Sequence, residues 1–214
     1  MSSSIYLIGG GELRDGDTQL IDEDILSLAP KGSSFVFFNF AAGDSEGYAE
    51  TIKSVYGRKY KVVLPSEAKG KDFAINAIES AAVIYIGGGN TDQLLRVFKR
   101  WGLVEHLQAA IDRGVHVAGM SAGAQALSTQ YVDEDSGLFE LRKGWGIIPV
   151  GVLVHANPTS FSRTELLWPN DYPTLFVAIG EGAAWRVRTT EAAKIGLGNI
   201  WTIPRSRLTE QSQK

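Results

Sequence analysis

Short apolar runs rich in Val, Ile, Tyr and Phe alternate along the first half of the chain with helix-length stretches of period 3.6. The runs are Ile5 to Ile8, Ser34 to Asn39, Tyr60 to Leu64, Ala82 to Ile86 and Val115 to Met120. Runs that are apolar throughout suit strands buried on both faces, and the helical stretches supply the crossovers that parallel neighbours require. Between the fourth and fifth runs, Asn90 and Gln93 stand as a helix N-cap and its N3 partner. Leu94, Leu95, Val97, Phe98 and Trp101 then share one face, and Gly102 ends the helix. A second helix is predicted from Leu103 to Arg113, closed by Gly114.

After about residue 128 the runs shorten to Leu138 to Leu141, Val150 to Ala156, Thr174 to Ile179, Ala183 to Arg188 and Ile200 to Ile203. They read as antiparallel additions and hairpins to the same unit. The predicted fold is α/β: three layers, α/β/α, around a mainly parallel doubly wound sheet with antiparallel C-terminal additions, in a single domain over residues 1–204. The polar residues 205–214 are expected to fray.

Composition narrows the chemistry. A chain of 214 residues can bury a sizeable core without staples, and it contains no cysteine, which removes disulfides, thiolate metal sites and every cysteine nucleophile. The net charge of −3 and pI of 5.7 lack the basic footprint of a nucleic-acid binder. The basic stretch from Arg58 to Lys71 is broken by a predicted strand and reads as a solvated face. No apolar run approaches the ~20 residues of a membrane span, and no basic leader precedes the first strand. A cytoplasmic protein that uses neither nucleic acid nor membrane is the expectation.

Gly119-Met120-Ser121-Ala122-Gly123 follows the fifth strand run directly and opens a small-residue helix. In a nucleophile elbow the glycines allow a sharp turn that exposes the serine hydroxyl, and the next amide, that of Ala122, becomes an oxyanion donor. Gly87-Gly88-Gly89-Asn90 ends the fourth run, and a right-handed crossover brings it to the same edge of the sheet. Gly88 or Gly89 is the natural second donor. A dinucleotide fingerprint fails, because it needs glycine where Asp92 stands or, counted from Gly9, where Arg14 stands.

A serine nucleophile needs a base, and the chain has three histidines. His106 lies mid-helix and His116 begins the fifth strand, at the edge opposite the elbow. His155, between Val150 to Val154 and the loop Ala156-Asn157-Pro158-Thr159, is the one placed to meet Ser121. Two acids compete to orient it: Asp135, within Asp133-Glu134-Asp135, and Glu181, between Gly180 and Gly182. Spacing alone does not separate them.

With these residues assembled, the chain from Ile5 to about Val187 resembles the aspartyl dipeptidase (peptidase E) and cyanophycinase family of serine peptidases, whose fold is similar to that of class I glutamine amidotransferases. The resemblance rests on Gly87-Gly88-Gly89-Asn90-Thr91-x-Gln93-Leu94-Leu95 and on Gly119-x-Ser121-Ala122-Gly123-Ala124. Gly146-Ile147-Ile148-Pro149 before His155, and Ala178-Ile179-Gly180-Glu181-Gly182-x-Ala184, look like the segments that bring the family's histidine and glutamate.

The resemblance implies a Ser121, His155 and Glu181 triad in place of Asp135. It also implies an oxyanion hole from Gly88, Gly89 and Ala122, substrate binding by Asn90 and Arg163, and no metal or organic cofactor. The implied activity is hydrolysis of short peptides through an acyl-enzyme, of Asp-X dipeptides in particular, with β-aspartyl-arginine dipeptides as a related substrate. The expected partners are a small peptide substrate and, where the chain self-associates, a second copy in a homodimer. Two departures stand out: Ala156 follows His155 where the family usually has an aromatic, and the family's Gly-Glu-Thr-Arg stretch has its nearest substitute in Phe161-Ser162-Arg163. A catalytically silent amidotransferase-like binding domain and a small serine esterase using Asp135 are the alternatives. Glutamine amidotransfer by an elbow cysteine is excluded, because the chain has none.

Overall fold

The computed structural model describes residues 3–134, 139–167, 175–188 and 191–203. The predicted tail, 205–214, lies outside the described residues. In chain order the elements are β1 (Ser4–Ile8), α1 (Gln19–Leu26), β2 (Ser34–Phe38), α2 (Glu46–Tyr56), β3 (Lys61–Val63), α3 (Gly70–Ser80), β4 (Val83–Ile86), α4 (Thr91–Trp101), α5 (Leu103–Asp112), β5 (His116–Met120) and α6 (Ala122–Leu127). They continue as β6 (Ser128–Asp133), β7 (Glu140–Lys143), β8 (Ile148–Leu153), α7 (Pro158–Leu167), β9 (Leu175–Ile179), β10 (Ala183–Arg188), β11 (Glu191–Gly196) and β12 (Ile200–Ile203).

The larger sheet has the order β11-β10-β1-β5-β4-β2-β3. Its β1, β5, β4, β2 and β3 pair in parallel, and β10 and β11 are antiparallel additions. Alternation along each strand explains why both faces need helices. Ile5, Leu7, Val36, Phe38, Ile84, Ile86 and Val117 enter one apolar core with Ile78 of α3, Leu94 and Phe98 of α4 and Leu107 of α5. Tyr6, Ile8, Phe35, Phe37, Val83, Tyr85 and Ala118 enter another with Ile21 and Ile25 of α1 and Ile52 and Tyr56 of α2. This is the three-layer, doubly wound arrangement, and the burial of period-two side chains on two faces drives it.

The segment after residue 128 departs from the expected antiparallel hairpins in part. It builds a second sheet, β12-β9-β8-β6-β7, in which β6 pairs with β8 and β8 with β9 in parallel. Only β7 and β12 join it antiparallel. For β8 and β9 the reason is α7, whose crossover allows the parallel pairing a tight hairpin forbids; β6 and β8 run parallel because β7 comes between them in the chain and pairs on the other side of β6. Tyr131, Val150, Val152, Val177 and Ile179 pack this sheet onto the core that α4 also covers. Val132, Leu153, Phe176, Ala178 and Ile203 form a third cluster behind it. Among the described residues, no helix is long and apolar enough to cross a membrane.

Register brings the functional ends together. Ile8 pairs with Met120, and Ile86 with Gly119, so β1, β4 and β5 end side by side. The turns that leave them are Gly9-Gly10-Gly11, Gly87-Gly88-Gly89 and Ser121.

Candidate active site

Ser121 sits at φ 49°, ψ −108° between β5 and α6, a backbone conformation rarely adopted by a residue with a Cβ. Its neighbours make the turn affordable. A Cβ on Gly119 would lie 2.5 Å from the Gly123 carbonyl carbon, and one on Gly123 would lie 2.3 Å from the Ile86 oxygen. The elbow therefore packs backbone against backbone, with the Ser121 amide bound to the Ile8 carbonyl (2.9 Å) and the Ser121 carbonyl accepting from Gln125 (3.0 Å).

The Ser121 hydroxyl lies 2.8 Å from His155 Nε2, and His155 Nδ1 lies 2.5 Å from Glu181 Oε1. An ionised Glu181 accepts the Nδ1 proton and leaves the Nε2 lone pair facing the serine, the orientation an imidazole needs to take the Oγ proton. His155 follows β8 at φ 52°, its amide bound to the Gly9 carbonyl (2.9 Å). Glu181 follows β9, and the next amide, of Gly182, binds the Gly10 carbonyl (3.1 Å). His155 reaches the serine, and Glu181 reaches His155, because the ends of β8 and β9 are tied to the turn after β1. His106 stands apart, 3.7 Å from Glu79 on the surface, and His116 Nδ1 accepts from the Ser4 amide (3.1 Å). Asp135 lies outside the described residues.

Gly10 was not singled out by its sequence context, yet a Cβ there would lie 2.5 Å from His155 Nδ1 and 2.4 Å from Glu181 Oε2. The glycine-rich turn after β1 is the floor on which the imidazole and carboxylate rest. A triple glycine at a strand end is a readable sign of close approach, but nothing local says what approaches.

Of the two expected glycine donors, Gly88 turns its amide to the Tyr48 hydroxyl (3.4 Å), while Gly89 lines the cavity beside Ser121. Ala122 opens α6, where first-turn amides have no partner within the helix. The cavity holds about 400 Å³. Asn90 is on its wall, with its side chain capping α4 by accepting from the Gln93 amide (2.8 Å).

Asp92, Asp133, Glu134 and Arg142 complete much of the remaining wall, and Arg142 carries no local signal that would have found it. Its guanidinium bonds Asp92 (3.0 Å) and Asp133 (3.0 Å) and reaches Glu140 (3.4 Å). Arg163 is exposed on α7 outside the wall, over the Phe139 ring at 5.0 Å. Burial holds the Glu134 carboxyl above its ordinary range, and the charges of Arg163 and then His155 oppose that rise only in part.

Comparison with known proteins adds a family context. The model of peptidase family S51 matches residues 5–195. An uncharacterized peptidase, YgaJ of Bacillus subtilis (strain 168), is 30% identical over 153 residues, spanning 69% of this chain and 66% of that protein's length. Peptidase E of Citrobacter koseri is 46% identical over 50 residues, 23% of this chain and 22% of its own length. The chain thus spans less than two thirds of the curated relatives it matches. Among solved structures, a peptidase from an acI-B1 Actinobacterium superposes with a TM-score of 0.67 at 25% identity, covering 96% of this chain and 92% of its own. A candidate peptidase E from Listeria monocytogenes EGD-e gives 0.69 at 20% identity, covering 92% of this chain and 100% of its own, a likeness of fold.

Proposed function

The chain belongs to peptidase family S51, and we propose that it is a serine exopeptidase that hydrolyses short peptides through an acyl-enzyme on Ser121. The observation that carries this reading is the unbroken line from Ser121 Oγ through His155 to Glu181, at 2.8 and 2.5 Å. His155 takes the hydroxyl proton as Oγ attacks the scissile carbonyl, then gives it to the leaving amine. Glu181 orients the imidazole and offsets its charge; the amides of Gly89 and Ala122 hold the oxyanion. Water then repeats the attack and frees the enzyme. On the cavity wall Asp92 and Asp133 are paired with Arg142, which leaves the Glu134 carboxyl to meet the free ammonium of an unblocked peptide.

The finer reading is an aspartyl dipeptidase. An acidic first residue wants a guanidinium, and that of Arg142 is already engaged by Asp92 and Asp133. Among the described residues, Arg163 on α7, beside the cavity rather than on its wall, is the cation assigned to meet the substrate carboxylate.

Ser121→Ala tests the mechanism: the variant should fold normally, lose hydrolysis and lose labelling by a fluorophosphonate probe. Retained hydrolysis would refute it. A panel of dipeptides beginning with Asp, Glu, Asn and Ala, with a β-aspartyl dipeptide included, tests the specificity; equal turnover of Ala-X and Asp-X removes the aspartyl reading while leaving the mechanism.

A further inference from the structure

One side chain outside the line of three touches both arms of the site where the oxyanion would form. Tyr48 stands in the first turn of α2. Its hydroxyl accepts from the Gly88 amide (3.4 Å), in the turn after β4, and donates to Met120 Sδ (3.4 Å), the last residue of β5 before Ser121. The ring packs edge-on against Phe37, with centroids 4.9 Å apart, and lies under Gly87, where a Cβ would come within 3.0 Å of Tyr48 Cε1. Burial pushes the phenol up to about 12, so it keeps its proton through the neutral range.

The contact matters because of what it restrains. Three consecutive glycines form a soft turn, with no Cβ to limit φ and ψ. Gly87 is tied by its amide to Phe38 (2.9 Å), and Asn90 by its amide to Ala41 (2.8 Å). Between those ties the direction of the Gly88 amide decides where the following peptide, and hence the Gly89 N–H, points. Gly88 also lies against the nucleophile: a Cβ there would be 3.3 Å from Ser121 Cβ. A small rotation of this peptide would move the Gly89 donor relative to Ser121 Oγ, and electrostatic stabilisation of an oxyanion depends on donors that are already in place.

We propose that Tyr48 is a positioning residue for the oxyanion hole, its hydroxyl locking the Gly88 peptide to the Met120 end of β5 so that the amides of Gly89 and Ala122 converge on one point. The inference rests on the acyl-enzyme reading above.

The test is Tyr48→Phe, which keeps the ring under Gly87 and removes only the oxygen. Two readouts apply: the second-order rate of Ser121 labelling by a fluorophosphonate, whose phosphoryl oxygen would occupy the same hole, and the kcat and KM of the panel dipeptide cleaved fastest. Labelling rate and kcat should each fall about tenfold, with KM held within about twofold and Tm little changed. A packing role alone would lower Tm and leave kcat of the folded fraction intact. Labelling and kcat within about twofold of the parent overturn the proposal. If Tyr48→Phe folds poorly, Met120→Leu removes the hydroxyl's acceptor at nearly constant volume; it should slow labelling in the same direction, and an unchanged rate there overturns the proposal too. Failure of the parent to label at Ser121 would instead overturn the acyl-enzyme reading.

Discussion

Gly10 and His155 are in contact so close that the smallest side chain would not fit between them: a Cβ on Gly10 would lie 2.5 Å from Nδ1 of the imidazole. The same carbon would lie 2.4 Å from Glu181 Oε2, so the glycine sets the height of both groups above the end of β1. Gly10→Ala should push the imidazole off Ser121. A displacement of about 1 Å in such a geometry costs on the order of a hundredfold in rate. The expected result is loss of hydrolysis and of fluorophosphonate labelling with the fold retained, checked by circular dichroism beside the labelling rate. The φ of +150° adds backbone strain, so some loss of Tm accompanies it. Labelling at the parental rate would show that the pair tolerates the carbon.

Glu181→Gln keeps the shape of the side chain and inverts its bonding, because an amide nitrogen can face Nδ1 only if the imidazole adopts the wrong tautomer. A drop of about 10⁴ in kcat is expected, with KM little changed. Asp135→Asn, made in parallel, should leave kcat within about threefold. The reverse pattern would return the orienting role to Asp135.

The parts of this site that could be read from the chain are those whose cause is local. Gly119, Ser121 and Gly123 announce an elbow because the turn needs glycine at fixed offsets, and Asn90 announces α4 because a cap needs an acceptor three residues before Gln93. The buried strands β1, β2, β4 and β5 are legible because both faces are apolar. Of the second sheet, the runs of β8, β9 and β12 are legible, but β6 and the parallel pairing are not. In β6, Ser128 and Gln130 are buried and break the apolar pattern; Ser128 is satisfied by the Gln125 and Gln130 carbonyls, partners visible only in the fold. The larger sheet has its own hidden strand in β11, where Glu191-Ala192-Ala193-Lys194 forms an edge with little apolar signal.

The segment after His155 reads as a loop, yet the start of α7 carries a readable sign. Asn157 Oδ1 accepts from the Thr159 and Ser160 amides, both at 3.0 Å, with Pro158 in the first helical position. Gly10 is the opposite case, since the atoms that exclude its Cβ arrive from residues 155 and 181.

Arg163 is expected to separate affinity from chemistry. Replacing Arg163 by Gln removes the charge but keeps a polar chain on the exposed face of α7. If it meets the substrate's acidic side chain, kcat/KM for an Asp-X dipeptide should fall about tenfold or more, while that for Ala-X stays within about twofold. An equal change for both substrates would assign Arg163 to packing on Phe139, whose ring lies 5.0 Å away.

His116 gives a pH test of stability that does not involve the active site. Its Nδ1 accepts from the Ser4 amide, a bond open only to the neutral ring, and burial, with the nearby Arg188 charge, lowers its pKa below 6.5. The group therefore favours folding when unprotonated. Its contribution is complete above about pH 6.5, where the unfolded chain is also neutral, and is lost as pH falls through the lower folded value. His116→Gln offers an acceptor that does not titrate. On acidification from about pH 7 to pH 5, the parent should lose about 2 °C more in Tm than this variant. Salt should reduce the difference only in part, because desolvation is the larger cause and Coulombic repulsion by Arg188 the smaller. Parallel Tm profiles for the two proteins across this range would mean that the histidine keeps the same proton affinity folded and unfolded.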